Sequence, residues 1–126
     1  MSFSNTFETT VLKWTFTTDS VTRPTAWYIG LFTSDPTDAG TGTEVSGNGY
    51  TREAVSFTVT GDTATNSAAV EFDAATASCG TITHAGIFDS STGGNIVAHS
   101  ALSTSKTIGT GDILRVPAGD LDITLD

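Results

Sequence analysis

After Pro24 every apolar run in the chain is short and is closed by Gly, Asp, Asn or Thr, punctuation that suits turns and ends helices. That pattern leaves an antiparallel, mainly β domain as the fold class, a β-sandwich or jelly-roll-like body over residues 24–126. Trp27 to Phe32 (WYIGLF) is apolar on both parities apart from Gly30, so it reads as a strand covered on both faces and is expected to be the central one. Val55, Phe57 and Val59 alternate with Ser56, Thr58 and Thr60, which predicts one strand with a buried and a wet face, ended by Gly61-Asp62. Val70 and Phe72 flank Glu71 in a short strand. Ile82 to Phe88 makes a longer one, in which Gly86 marks a bulge or close packing. The run DSSTGG (89–94) predicts a hairpin into Asn95 to His99, because Gly93 and Gly94 accept the positive φ of tight turns. Ile113 and Arg115, then Leu121, Ile123 and Leu125, supply two last segments around the turn Pro117-Ala118-Gly119.

Only the N-terminal segment has helical periodicity. Phe3, Phe7, Val11 and Trp14 recur at spacings of four, four and three, one stripe of a helix expected over residues 4–17, with Leu12 widening it. Asn5 followed three residues later by Glu8 predicts a capping box, and the Thr-rich stretch before Asp19, together with Arg23-Pro24, ends the helix. With no internal repeat, heptad or linker, residues 1–126 read as one domain. The rings of Trp27 and Tyr28 are expected in the core and Trp14 against the sheet or a neighbour. Tyr50, beside the Gly-Asn-Gly turn, is the candidate for an exposed stacking platform.

Charge removes several classes of function. Fourteen acids against five bases give a net charge of −9, and Lys13, Arg23, Arg52, Lys106 and Arg115 are scattered, so no basic surface for nucleic acid is expected. An acidic surface instead keeps many copies soluble until they dock. No apolar run approaches a membrane span, and MSFSNTFE lacks the pattern of a signal peptide, so neither a membrane partner nor ordinary export is expected. Cys79 is alone; it reads as a small buried hydrophobe in a strand, suited to a reducing cytoplasm.

Chemistry is sparse. Ser78 or Ser100 with His84 or His99 and an aspartate would supply the residue types of a hydrolase, but neither serine sits in a G-x-S-x-G elbow, so no catalytic residue is assigned. Asp35, Asp38 and Glu44 share a loop with Gly40 and Gly42, the oxygen-rich composition calcium takes. The spacing is not that of an EF-hand, and turn formation explains it as well, so no metal or cofactor is assigned and a calcium loop stays open as the alternative.

Segments spread over nearly the whole chain carry a family resemblance: AWYIGLFTSDP (26–36), GTEVSGNGYTR (42–52), ATNSAAVEF (64–72), THAGIFDSSTGGN (83–95) and AGDLDITLD (118–126), behind an N-terminal helix. Together they resemble a family of small bacteriophage virion proteins described as tail-fibre-like and, in some phages, as head decoration or cement proteins. The resemblance implies a virion structural protein without enzymatic activity. Because the chain is short and lacks a repetitive shaft, a capsid decoration protein is the expectation, binding the major capsid protein at capsomer junctions. Tail or fibre association with receptor contact is the alternative. A closed homo-oligomer, commonly a trimer, is expected at the virion surface, with Phe3, Phe7, Val11 and Trp14 as the candidate subunit or virion interface. The 34–49 loop is expected to be flexible and to order on docking.

Overall fold

Parity along the strands separates two differently covered faces of one sheet. In the computed structural model, which describes residues 1–125, the elements in chain order are β1 (Ser2–Phe3), α1 (Asn5–Phe16), β2 (Trp27–Phe32), β3 (Glu53–Val55), β4 (Phe57–Thr60), β5 (Thr63–Asn66), β6 (Val70–Glu71), β7 (Gly80–Phe88), β8 (Ile96–Ile108), β9 (Arg115–Val116) and β10 (Asp122–Thr124). A five-stranded sheet runs in the order β1-β8-β7-β2-β3, a three-stranded sheet β10-β5-β4, and β6 pairs with β9 in a short ribbon. Every pairing is antiparallel. The fold is therefore mainly β and sandwich-like, with one helix at the N-terminal side, as the punctuation of the sequence predicts.

Ile29 and Leu31 of β2 and Ala85 and Ile87 of β7 belong to the core, with Val55, Val70, Phe72, Val97 and Leu121. Ile29, Ile82 and Ile87 are completely buried, each contributing about 1.5–3 kcal/mol relative to an exposed side chain. On the other parity of the same strands, Gly30 of β2 faces Gly86 of β7 directly, and the rings of Phe32 and Phe88 stack at 5.9 Å. A Cβ on Gly30 would stand 2.7 Å from the Phe88 ring, and one on Gly86 would stand 2.9 Å from the Phe32 ring. The glycine pair thus makes room for two aromatic rings on the outer face, and Gly86 marks close packing rather than a bulge. This outer layer explains why β2 is apolar on both parities.

The structure revises several local expectations. β7, not β2, is the centre of the large sheet, with β8 on one side and β2 on the other. The alternation from Val55 to Thr60 does not form one strand: the chain changes sheets at Ser56, so β3 pairs with β2 while β4 pairs with β5, and Val59 is left 70% exposed. β8 extends to Ile108, nine residues beyond His99. Between Ala101, opposite His84, and Lys106, opposite Ile82, it carries an irregularity that accommodates Leu102 to Ser105. β5 is a strand of Thr, Ala and Asn that has no apolar alternation to reveal it. Cys79 lies just before β7 and is half-buried, not enclosed within a strand.

The N-cap of α1 is Ser4, one residue earlier than the capping box predicts: its Oγ accepts from the Phe7 amide at 3.2 Å and donates to the Ile96 carbonyl at 2.6 Å. Phe3 consequently leaves the helical stripe and joins β1, paired with Ala98. Glu8 in the first turn and Lys13 in the last suit the helix dipole, and Thr17 closes the helix with its amide bonded to the Lys13 carbonyl. No residue of α1 is buried. No helix among the described residues is long and apolar enough to cross a membrane.

Candidate functional site

Three clusters bring together the residues that the sequence marks for chemistry or contact. The first lies on the outer face of the large sheet. Arg52 Nε and Nη2 donate to Glu44 Oε1 and Oε2, each at 2.8 Å, and Nη1 donates to the carbonyls of Ser90 and Gly93. Its guanidinium lies 3.4 Å above the Phe88 ring. Tyr50 donates to Glu44 Oε1 at 2.8 Å, accepts from the Leu31 amide at 3.0 Å and stacks on Phe72. Burial is the main reason its phenol is pushed far above the ordinary tyrosine range; the Leu31 amide opposes the shift and Glu44 adds to it. Tyr50 is thus a partly buried structural residue, so the exposed stacking platform expected at this position is absent. Of the other rings, Trp27 packs against the core and Tyr28 is half-buried.

Glu44 is committed to Arg52 and does not converge with Asp35 and Asp38. Those two acids approach the histidines instead: His99 Nε2 lies 2.7 Å from Asp38 Oδ1, and Asp35 Oδ1 lies 3.9 Å from both His84 Nε2 and His99 Nδ1. Among the described residues no group of three or more His, Cys, Asp or Glu side chains is placed to hold a metal ion. Asp35 behaves as a turn residue, its Oδ1 accepting from the Thr37 amide. The loop is tied down rather than free: Thr33 bonds Thr43, Val45 bonds Leu31, Thr41 bonds Pro36, and Asp38 accepts from the Asn5 amide at the start of α1. The flexible loop expected over 34–49 is corrected accordingly. Its backbone finds partners in the sheet and the helix, and it covers the outer face of β2.

The serine hydroxyls bond backbone groups rather than the histidines. Ser100 Oγ donates to the Ala101 carbonyl, Ser78 Oγ accepts from the Gly80 amide, and the hydroxyl that meets His84 Nδ1 is that of Thr83. Among the described residues, no serine hydroxyl is hydrogen-bonded to either histidine, so the nucleophile–base contact of a hydrolase is not assembled here.

The third cluster is apolar and divides the four candidate interface residues. Phe3 and Phe7 meet edge-on at 4.9 Å and line a groove of about 380 Å³ with Trp27, Phe57, Val59 and Ile123. Arg23 and Asp62 stand among its lining residues. Val11 is half-buried, whereas Trp14 is 74% exposed and lies against neither the groove nor the core. Leu12 and Phe16 are exposed beside it, at 58% and 78%. The helical stripe predicts Phe3, Phe7 and Val11 as inward-facing, but at Trp14 the helix has run beyond the body. Leu12 and Phe16 are one turn apart, and Trp14 lies between them in sequence on another side of the helix, so the last turn carries apolar residues around much of its circumference.

No curated protein matches the chain. A family model described as Podophage GP4 fiber I protein gp80 matches residues 2–124, reaching from β1 to the last residue of β10. The N-terminal arm, the outer-face cluster and both sheets all fall within the match, and the chain belongs to this family of phage fibre proteins, structural components of the virion.

Proposed function

We propose that the protein is a non-enzymatic structural module of a phage fibre, a rigid β body that takes its place in the particle through apolar contacts rather than through chemistry. The observation that carries this reading is the exposed end of α1, a segment with Leu12, Trp14 and Phe16 in solvent on a body whose other large side chains are mostly covered. The family description supplies both the fibre and the structural role. The outer-face cluster serves rigidity, since Arg52 saturates Glu44 and two carbonyls while covering an aromatic ring.

Capsid decoration is the second reading, favoured by one observation: the described residues form a single body without a repetitive shaft, a shape suited to a clamp over capsomer junctions. Reconstruction of the intact virion, by difference against particles lacking this gene, distinguishes the two. Density in the fibres is the expected result. Density over capsomer junctions transfers the function to cementing the shell, and particles with no such density overturn both.

A further inference from the structure

The chain holds four asparagines, and Asn48 alone is followed by glycine; Asn5, Asn66 and Asn95 precede Thr6, Ser67 and Ile96. Asn48 stands near the end of the loop between β2 and β3, where the Tyr50 amide bonds the Gly47 carbonyl at 3.0 Å. Asn48 and Gly49 have φ of 57° and 81°, and positive φ at both central residues makes this a type I′ turn, which favours Asn-Gly. Gly47, Asn48 and Gly49 are all exposed, and a Cβ at Gly47 would meet nothing within 4 Å, so the tip can rearrange without displacing packed side chains. The Gly49 amide, outside every strand, has no backbone partner among the described residues.

The same asparagine docks the turn on the rest of the body. Its carboxamide donates to the Ser78 carbonyl at 2.8 Å, and its backbone carbonyl accepts from the Thr76 amide at 3.0 Å. From the end of this turn Tyr50 reaches the Leu31 amide and Glu44. The tether is chemically vulnerable. Asn48 Cγ and the Gly49 nitrogen can close a five-membered ring, an intramolecular attack that glycine leaves unhindered because it has no Cβ.

We propose that Asn48 is a site of spontaneous deamidation, a slow covalent change that adds one negative charge and releases the 47–50 turn from residues 76–78. The Gly49 nitrogen gives its proton to hydroxide and attacks Asn48 Cγ. A succinimide closes as the new C–N bond forms and the Cγ–Nδ2 bond breaks, and the leaving nitrogen takes a proton from water to depart as ammonia. Water then opens the imide at either carbonyl, giving aspartate or isoaspartate. Both products lack the Nδ2 donor, so the Ser78 carbonyl loses its partner, and aspartate sets a carboxylate against it. Isoaspartate also inserts a methylene into the backbone, which breaks the geometry of the bond from Tyr50 to Gly47. Elsewhere these conditions do not coincide: Asn66 is buried with its side chain bonded, and the branched side chains of Thr6 and Ile96 crowd the nitrogens after Asn5 and Asn95.

Peptide mapping by mass spectrometry tests this on the purified full-length chain held in mildly alkaline buffer. Residue 48 is expected to exchange amide for acid about tenfold or more faster than Asn5, Asn66 or Asn95 in the same sample, a difference of about 1.4 kcal/mol in barrier. The rate is expected to rise in proportion to hydroxide. Separated by anion exchange, the acidic form should unfold at a lower urea midpoint than the parent fraction, as should Asn48→Asp. Asn48→Gln, whose ring closure is six-membered, should accumulate no such form. An amide retained at residue 48 in the folded chain, while the same chain in urea converts, overturns the proposal, because the turn then shields the bond. Conversion with an unchanged urea midpoint overturns the release of the turn.

Discussion

The outer face of β2 and β7 and the apolar groove beside α1 are both surfaces that a bare sheet would leave to water, yet only the first is covered from within the chain. Over Phe32 and Phe88 the chain lays Arg52, Glu44 and the bonded loop between β2 and β3. Over Phe3, Phe57 and Ile123 it lays nothing of comparable size, and it carries Trp14 and Phe16 away into solvent. A polar cover can be closed by one chain, because each donor finds an acceptor on a neighbouring loop. An apolar groove closes only when something brings matching apolar surface to it. The covered face therefore builds the body, while the open groove leaves its apolar lining to solvent.

Removing the cover is the strongest way to break that contrast. Arg52→Ala leaves the Glu44 carboxylate with the Tyr50 hydroxyl alone and strips two carbonyls of their donor, and a loss of about 3 kcal/mol is expected in urea denaturation, as when one partner of a largely buried ion pair is deleted. Gly30→Ala presses a Cβ into the Phe88 ring and is expected to cost about 2 kcal/mol by the same measurement. Ser4→Ala loosens the arm where it meets the body, removing the helix cap and the bond to Ile96; about 1 kcal/mol should disappear, with a drop in helical ellipticity.

The smallest effects sharpen the comparison by their size. Burial, followed by the nearby Asp73 charge, raises the Glu53 carboxyl above its ordinary range, so the folded state holds that proton more tightly than the unfolded state. Stability is therefore lost as pH rises through the raised range. Glu53→Gln should gain a few tenths of a kcal/mol at pH 7, limited by solvent screening, and nothing at pH 3. Trp14→Ser should change unfolding free energy by less than about 0.5 kcal/mol, because an exposed ring contributes almost nothing to its own body.

Much of this architecture was legible where side chains announce it. Phe3, Phe7 and Val11 mark the inward side of the N-terminal segment, WYIGLF marks a doubly covered strand, and Gly93-Gly94 marks the turn between β7 and β8, where both glycines have positive φ. The rest depends on pairing across the sequence. β5 is built from Thr, Ala and Asn and residues 103–107 of β8 from Ser, Thr and Lys, and they are strands because distant backbones pair with them. The sheet change at Ser56 is equally silent, since Val59 continues the alternation on a strand that faces a different partner. The Arg52–Glu44 pair leaves only a faint mark, a single base in an acid-rich stretch after Gly-Asn-Gly-Tyr. In the arm, periodicity shows which residues share a side but not how far the body extends beneath them, which is why Trp14 reads as packed and stands exposed.

Asn66 fixes when the protein can finish folding during its synthesis. Its side chain, 1% exposed, donates to the carbonyls of Ala68 and Pro117 and accepts from the Leu121 amide, while the strand it ends, β5, pairs with β10. The partners from Pro117 onward are made more than fifty residues later, so as the chain leaves the ribosome the β4–β5 hairpin has its turn but not its third strand. The smaller sheet therefore closes only after residues 117–124 have emerged, a late step with high sequence separation and correspondingly slow kinetics. Until then, the surface that β10 will cover is open to neighbouring nascent chains, and the net acidic charge of the chain keeps those neighbours apart.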